Sequence, residues 1–261
     1  MNTEDEPPQA VIELSAVSVG HPRSPETALL ESVDWRVMPG EFWVVTGMQG
    51  SGKTALLETA AGLHPFQTGT LKLFGHTVTG TEGDEFKHQR RRLGVVFEGS
   101  GRLFHPLTVA ENVALPLRYY RDGTLEDVSE EVIPLLELMG LQGMANVPSG
   151  RLSRAWAQRV ALARALVLKP EVLFLDNPLA GMDVQHVRWW RQFIHQLSLG
   201  HPQFHAKPMT LVAACDDPRP WLELGHQFVL AHERHWRLLG TRADVLANRE
   251  ALVREITDAI F

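Results

Sequence analysis

The segment GMQGSGKT, residues 47–54, matches every fixed position of the pattern G-x-x-x-x-G-K-[S/T] and follows an apolar run at residues 42–45. The apolar run predicts a buried strand, and the residues from Lys53 onward predict a helix. Glycines in this pattern allow the backbone to wrap closely around an anion, and a helix that begins there points its positive end at the same place. The segment therefore predicts a strand, a phosphate-binding loop and a helix in succession, as in an α/β domain.

Each residue of this loop has a chemical task that its type explains. Successive backbone N–H groups would surround the phosphates, and they belong to Gly47, Met48, Gln49, Gly50, Ser51 and Gly52. Lys53 would reach the β and γ phosphates, and the Thr54 hydroxyl would face Mg²⁺. A chance glycine-rich turn is the alternative, but chance does not account for every fixed position lying between strand and helix signals. The loop predicts a site for a nucleoside triphosphate.

Composition narrows the class of protein further. The chain has 261 residues, with 25 basic and 31 acidic side chains and a net charge of −6. This balance gives no overall attraction to nucleic acid, so we expect no nucleic-acid partner. The single cysteine, Cys215, cannot form an internal disulfide and is typical of a reducing cytoplasm.

The sequence predicts no signal peptide and no membrane-spanning segment. Residues 1–10 are acidic, contain proline and lack an apolar core, so we expect a disordered tail and no signal peptide. No apolar run approaches the roughly 18 residues that are needed to span a bilayer. If the protein works at a membrane, we expect other subunits to cross it.

Hydrophobic patterns predict one domain over residues 1–261 with a β-rich beginning. The first strand signals lie at residues 11–17, 34–37 and 42–46, and a polar loop with Pro22 and Pro25 separates the first two. Helical signals dominate residues 98–167, which we interpret as an inserted helical subdomain. Further strands are predicted at residues 172–176, 210–214, 227–231 and 236–239, with a helix at 184–197.

Three further segments carry a family resemblance. They are VVFEGSGRLFHPLTVAENV at residues 95–113, LSRAWAQRVALARAL at 152–166 and VLFLDNPLAGMD at 172–183. In this order after a phosphate loop, they make residues 11–256 resemble the ATP-binding subunit of ABC transporters. Within them, QRVALARAL at residues 158–166 is especially specific to that family.

The resemblance implies a fold, ligands and partners. The expected fold is α/β, a P-loop NTPase core of the ABC-ATPase type with a β-rich flank and an inserted helical subdomain. The expected ligands are ATP and Mg²⁺. The expected partners are an integral-membrane permease and a second nucleotide-binding subunit, either identical or different, that pairs head to tail with this chain. Such a subunit lies in the cytoplasm, peripherally on the inner face of the membrane.

Catalytic positions of that family are altered in this chain. Asp176 matches the acid that serves Mg²⁺ through water, but Asn177 stands where the family has the glutamate that polarises the attacking water. Glu98 replaces a glutamine that faces Mg²⁺, and its carboxylate would keep that metal contact beside Thr54 and Asp176. Cys215 replaces a histidine that contacts the γ phosphate. An amide cannot accept a proton at neutral pH, and a positioned general base contributes about 10²- to 10⁴-fold in rate. We therefore expect ATP binding with weak or absent hydrolysis, unless Asn177 merely closes a strand before Pro178.

The signature that would face the partner's ATP also differs from the family. In place of LSGGQ the chain has Leu152, Ser153, Arg154, Ala155 and Trp156. Side chains as large as those of Arg154 and Trp156 would crowd a phosphate that the family's glycines let approach. Asp183 matches the family's dimer-contact acid and could also cap the helix that follows it. The candidates for the position that stacks on adenine are Val19 and His21, and neither is the tyrosine or phenylalanine that is usual in the family.

Several alternatives remain open from the sequence. The chain could be an active ATPase in which Glu98 activates water and Arg154 acts as an arginine finger, or it could be a non-hydrolysing regulatory subunit. A nucleic-acid-associated ABC protein or a kinase is disfavoured by the single cassette and by QRVALARAL. The segments ENVALPLR at residues 111–118 and LVREI at 252–256 look similar to subunits of lipid-trafficking systems (Mla-like), but importers of phosphate or amino acids are alternatives.

Overall fold

The computed structural model describes residues 9–79, 84–99, 101–121, 123–248, 250 and 253–254. Most of the expected disordered tail, residues 1–8, lies outside the described residues. The expected tail is too long at its C-terminal end, because Ala10 is buried with only 4% of its surface exposed. Within the described residues, the chain forms two β-sheets with α-helices packed against them.

The smaller sheet is antiparallel and forms the β-rich flank. Its strands lie in the order β2 (Ser24–Val37), β1 (Ile12–His21), β4 (Phe66–Leu73) and β5 (His76–Thr77). The predicted polar loop is confirmed at Pro22, which lies in the turn between β1 and β2, but it is wrong at Pro25, because β2 begins at Ser24 and includes Pro25. A proline is tolerated there since β2 is an edge strand, where a missing backbone N–H breaks no bond inside the sheet.

The larger sheet carries the site. Its strands lie in the order β10 (His235–Gly240), β9 (Gln227–His232), β3 (Phe42–Thr46), β8 (Thr210–Cys215), β7 (Val172–Asp176) and β6 (Leu93–Val96). All neighbouring pairs are parallel except β9 with β10. Every residue of β3, β7 and β8 is buried, as expected for parallel strands that are covered on both faces.

Helices cover both faces of this sheet. They are α1 (Lys53–Ala60), α2 (Asp84–Arg91), α3 (Val109–Arg121), α4 (Ser129–Leu138), α5 (Arg154–Leu166), α6 (Val184–Leu199) and α7 (Arg242–Ala247). One apolar core joins α1 to the flank sheet, and the other joins α3, α4, α5 and α6 to the opposite face. Helix α3 packs on both α4 and α5, and α5 also packs on β6. A helical subdomain bounded at residues 98–167 remains a prediction.

Register explains why distant residues meet. Thr46 at the end of β3 lies opposite Cys215, and Asp176 at the end of β7 lies opposite Ala214. Val96 at the end of β6 lies opposite Leu175. Because parallel strands end at one edge of their sheet, the residues after β3, β6, β7 and β8 lie together, and ligands bind at this edge in open α/β sheets.

Candidate nucleotide-binding site

The predicted phosphate loop connects β3 to α1, as expected from the sequence. Gly47 has a φ of 154°, and a Cβ on it would lie 2.2 Å from the carbonyl oxygen of Ala231, which leaves no room for a side chain. Gly52 has a φ of 94° and precedes Lys53, the first residue of α1. Since glycine has no side chain to cap the helix, the first N–H groups of α1 are left for another acceptor, as in anion-binding loops.

Lys53 is buried inside this loop with 7% of its surface exposed. Its ammonium donates to the carbonyl oxygens of Gly47 at 2.7 Å and Met48 at 2.9 Å. The third contact is an ion pair of 2.9 Å with Oδ1 of Asp216, which follows β8. A buried charge requires such partners, and here the loop itself holds the cation where a phosphate would arrive.

Thr54 and Asp176 provide the oxygen atoms for a cation. The Thr54 hydroxyl donates to the Asp176 carboxylate, 3.0 Å from each oxygen. The pKa of Asp176 is raised to about 6, chiefly by burial and also by the charges of Glu98 and Glu58, although the bond from Thr54 opposes this shift. A further negative charge near Asp176 would therefore be unfavourable, whereas a divalent cation would offset the cost of burying its ionised carboxylate.

These residues are compatible with Mg²⁺ held together with phosphates. Mg²⁺ prefers oxygen ligands and is usually bound through one or two carboxylates together with substrate phosphates. Across the part of the chain that the structure describes, no group of three or more His, Cys, Asp or Glu could hold a metal ion without other ligands. Thr54 and Asp176 would hold Mg²⁺, and the charge of Glu98 is close enough to act on Asp176.

Asn177 lies between two carboxylates. Its side-chain nitrogen Nδ2 donates to Glu98 Oε1 at 3.0 Å and to Asp216 Oδ2 at 3.1 Å. The residue has a φ of 44°, in the left-handed region that asparagine tolerates better than most side chains. Asn177 therefore does more than close β7, because its amide connects the loops that follow β6, β7 and β8.

Asp216, and not Cys215, is the residue after β7's neighbour β8 that contacts the phosphate loop. Cys215 is buried with 3% of its surface exposed, and burial raises the pKa of its thiol, which is therefore neutral. The structure does not bring Cys215 to the surface of the site, and Asp216 contacts Lys53 instead. The sequence assigns no role to Asp216, although the register of Thr46 with Cys215 places the next residue beside the loop.

The altered signature packs partly into its own chain. Ser153 precedes α5, Ala155 is half-buried and Leu152 packs on the core of the helical layer. Trp156 meets the ring of His186 edge-on at 5.5 Å, and Arg159 lies 4.7 Å above Trp156. Arg154 is exposed, and its Nη2 lies 3.9 Å from Glu98 Oε1. The crowding of a partner's phosphate stays a prediction, with Arg154 as the exposed side chain that could cause it.

Asp183 caps α6, as predicted. Its Oδ1 accepts from the backbone N–H groups of Gln185 at 2.9 Å and His186 at 3.0 Å. Its other oxygen, Oδ2, contacts the His186 ring at 2.8 Å. These bonds hold the pKa of Asp183 below its usual range, with the backbone bond from His186 as the main cause. Its role as a dimer contact remains a prediction.

The two candidates for stacking on adenine differ in exposure. Val19 is fully buried within β1, so it is a packing residue. His21 ends β1 and is partly exposed, and its Nδ1 accepts from the backbone of Arg23. Of the two candidates, only His21 exposes a ring that a base could contact.

A groove lies between the sheet and the helical layer, away from the phosphate loop. Its volume is about 930 Å³, and its apolar rim includes Phe104, Leu115, Pro116 and Tyr119. Phe104 is 59% exposed and Tyr119 is 74% exposed. Beneath Phe104, the buried Asn112 donates to the carbonyl oxygens of Phe104 and Leu107 and so fixes the loop before α3.

None of the helices within the described residues is long and apolar enough to span a bilayer.

Comparisons with known proteins agree with this geometry. The family model described as ABC transporter matches residues 30–180. The chain is 34% identical over 216 residues to the sulfate/thiosulfate import ATP-binding protein CysA of Mycobacterium tuberculosis (strain ATCC 25618 / H37Rv), covering 83% of this chain and 58% of CysA. It is 34% identical over 219 residues to the spermidine/putrescine import ATP-binding protein PotA of Thermobifida fusca (strain YX), covering 84% of this chain and 54% of PotA. The chain thus spans less than two thirds of these relatives.

Two solved structures share the fold. The structure of cbiO1 from Clostridium perfringens, part of the ABC transporter complex cbiONQ, superposes with a TM-score of 0.76 at 20% identity and covers 95% of this chain and 94% of that one. The ATP-binding cassette MJ0796, a dimer in a post-hydrolysis state bound to ADP and Pi, gives a TM-score of 0.75 at 25% identity, with 86% and 95% covered. Together with the family model and the identity over most of the chain, they show that this chain belongs to the ABC transporter family as an ATP-binding domain.

Proposed function

We propose that this chain is the ATP-binding subunit of an importer, in which binding of Mg²⁺ and ATP at the phosphate loop drives or gates a permease while hydrolysis is weak or absent. One observation carries the proposal. The binding groups are complete in Lys53, Thr54 and Asp176, whereas an amide, Asn177, stands between two carboxylates where the family has its catalytic glutamate.

Binding depends on the loop and on the first turn of α1. Gly47 and Gly52 provide a backbone that can approach phosphates closely, and Lys53 provides a buried positive charge. Mg²⁺, when bound, neutralises charge on the phosphates. Thr54 and Asp176 would hold that ion. None of these groups is altered relative to the family pattern, so affinity for the nucleotide is expected to be retained.

Hydrolysis needs a group that accepts a proton from the attacking water. Asn177 donates through Nδ2 to Glu98 and Asp216, and its amide has no basic atom at neutral pH. The neutral, buried thiol of Cys215 cannot replace a histidine at the γ phosphate. Losing a general base lowers the rate of hydrolysis by about 10²- to 10⁴-fold, so ATP would stay bound for much longer before it is cleaved.

The relatives indicate the transport class. CysA is named for sulfate and thiosulfate import, and PotA for spermidine and putrescine import. We therefore propose import of a small solute. The likeness of ENVALPLR to lipid-trafficking subunits stays a prediction, since two of its residues have local tasks: Glu111 pairs with Thr108 at the start of α3, and Asn112 fixes the preceding loop. LVREI lies largely outside the described residues.

The groove beside α3 is the surface that we propose for the permease. Its rim carries two exposed aromatic rings, Phe104 and Tyr119, and exposed apolar surface of this kind marks a partner site. Arg90 also lines the groove. A subunit docked there would be peripheral, on the cytoplasmic face of the membrane. Copurification of a membrane protein that Tyr119→Ser abolishes, while Leu246→Ser on the exposed surface of α7 does not, would support this surface.

A second nucleotide-binding subunit, identical or different, completes the proposed assembly. In a head-to-tail pair each ATP would meet the partner's signature, so two copies of this chain would contribute Asn177 and Arg154 to both sites. ATP would then control assembly or gating more than turnover. Light scattering should show that Mg²⁺ and ATP increase the dimer fraction of the wild type but not of Lys53→Ala. A dimer fraction that is indifferent to ATP in both proteins contradicts this proposal.

A second candidate function is an active ATPase with Glu98 as the base. The observation that favours it is the bond of 3.0 Å between Glu98 Oε1 and Asn177 Nδ2, which means that a carboxylate and an amide occupy each other's family positions in one pocket. Arg154, 3.9 Å from Glu98, could contribute positive charge to the transition state. Glu98→Gln should then abolish phosphate release, whereas the leading proposal expects no change from an already low rate.

A further inference from the structure

The Asp216 carboxylate occupies the donor of Lys53 that a phosphate would need. An ammonium has three N–H donors, and those of Lys53 are directed at Gly47 O, Met48 O and Asp216 Oδ1. Two of these acceptors belong to the loop that carries Lys53 and move with it. Asp216 comes from another loop, so it is the partner that can be exchanged.

The Asp216 side chain can move away from Lys53. Its side chain is half-exposed, in contrast to Lys53, so it can turn into solvent without opening a cavity in the core. Its second oxygen holds the amide of Asn177 at 3.1 Å. Departure of Asp216 would therefore free one donor on Lys53 and one on Asn177 at the same time, and both are donors that phosphate oxygens could accept.

From these contacts we infer that Asp216 competes with the nucleotide phosphates for Lys53 and thereby lowers the affinity of the site for ATP. The inference rests on the proposed nucleotide site and adds a residue that sets its affinity. A carboxylate and a phosphate cannot both accept from the same N–H of an ammonium group, and the two anions repel each other at such short range. Nucleotide binding must then break an ion pair of 2.9 Å before it forms its own.

The next residue is a matched control. Asp217 carries the same charge and has similar exposure, but its carboxylate pairs with Arg219 at 2.7 Å and does not contact Lys53. Asp216→Asn and Asp217→Asn thus change the net charge equally, one inside the pocket and one beside it. Asp216→Ala goes further, because asparagine still offers an acceptor oxygen and alanine offers none.

The experiment is calorimetric titration of the full chain and these variants with ATP in excess Mg²⁺, and with inorganic triphosphate as a probe that lacks the base. We expect Asp216→Asn to bind both ligands about five-fold tighter, Asp216→Ala at least as tightly as that, and Asp217→Asn within about two-fold of the wild type. The gain should appear with triphosphate as well, because the competition is for phosphate.

The outcomes separate the two proposals. Equal or weaker binding by both Asp216 variants, with wild-type binding intact and lost in Lys53→Ala, overturns the role of Asp216 and leaves the nucleotide site standing. Failure of the wild type and of all Asp216 variants to bind overturns the nucleotide site itself. Binding by Asp216→Ala where the wild type shows none would support the competition strongly.

Discussion

Two halves of the family's catalytic machinery, both at one edge of the large sheet, differ in how far they depart from the family pattern. The binding half consists of the loop from Gly47 to Thr54 together with Asp176, and every group expected from the family pattern is present there. The cleavage half consists of Glu98, Asn177 and Cys215, and each has a side chain of different chemistry from that pattern. Both halves lie at one edge of one sheet, so the difference does not follow from a defect in folding.

Nucleotide binding and nucleotide hydrolysis would therefore depend on residues at the ends of different strands. The loop after β3 would surround phosphates with backbone N–H groups, which do not change with side-chain type unless a glycine is lost. The loops after β6, β7 and β8 act through single side chains, so substitution at one position changes the chemistry without moving the strand. The cleavage half can therefore lose its function while the fold and the binding half remain.

The largest expected effect comes from restoring the family arrangement in the cleavage half. The double variant Glu98→Gln with Asn177→Glu exchanges the carboxylate and the amide that meet at 3.0 Å, so the pocket keeps its net charge and gains only one methylene. It returns a carboxylate to the position beside Asp176. We expect phosphate release to rise by about 10²-fold or more, measured by a coupled assay with ATP in excess Mg²⁺.

The single variants control this experiment. Asn177→Glu alone places three carboxylates close together, with Glu98 and Asp216, so we expect a smaller gain than in the exchange. A double variant as inactive as the wild type, but with unchanged ATP affinity, would show that the missing base is not what limits cleavage. The comparison between the two halves would then have to include Cys215.

The next effect concerns Asp176, the acid retained in the binding half. Its pKa is raised to about 6 by burial, so between about pH 4 and pH 6 the native state binds more protons than the unfolded state. This contribution to stability is therefore lost as pH rises through 6. In chelator without nucleotide, Asp176→Asn should exceed the wild type in unfolding free energy by at most about 3 kcal/mol at pH 7.5, and by less toward pH 4.5.

Denaturant unfolding at the two pH values measures this difference. Asp217→Asn is the control, because it removes a similar carboxylate outside the buried pocket. A stability difference for Asp176→Asn that is the same at pH 4.5 and pH 7.5 would contradict the account. The expected result would mean that this carboxylate is kept for its ligand and not for the fold.

The smallest effect separates the two tasks of Asp183. Asp183→Ala removes the cap of α6 and should lower the unfolding free energy by about 1 kcal/mol, while Asp183→Ser keeps a capping oxygen and should cost much less. If Asp183 is also a dimer contact, both variants should weaken ATP-dependent dimers equally. Equal loss of stability in the two variants would be evidence against the cap as its structural task.

Much of the fold was predictable because its signals are local. The runs at β3 and β7 are short, continuous and apolar, and their predicted limits, Phe42–Thr46 and Val172–Asp176, match the structure. The prediction failed at β2, where prolines suggested a loop but the edge of the sheet tolerates Pro25. Helix α7 was missed, since its six residues carry too little periodic signal.

The site was predictable where it is contiguous and less so where it depends on register. The loop could be identified from eight adjacent residues, and Asp176 and Asn177 from their position at the end of a strand. Asp216 could not, because only the pairing of β8 with β3 shows that it reaches Lys53 while Cys215 points into the core. The bonds of Asn177 to two carboxylates likewise need three loops to be placed at once.

One measurement tests the central claim directly: titration of the purified chain with ATP in excess Mg²⁺, with phosphate release followed in the same samples and Lys53→Ala alongside. The account predicts saturable binding that Lys53→Ala loses by about 100-fold or more, with release from the wild type no faster than from that variant. Rapid phosphate release by the wild type that Lys53→Ala abolishes, or no binding by the wild type, would contradict it.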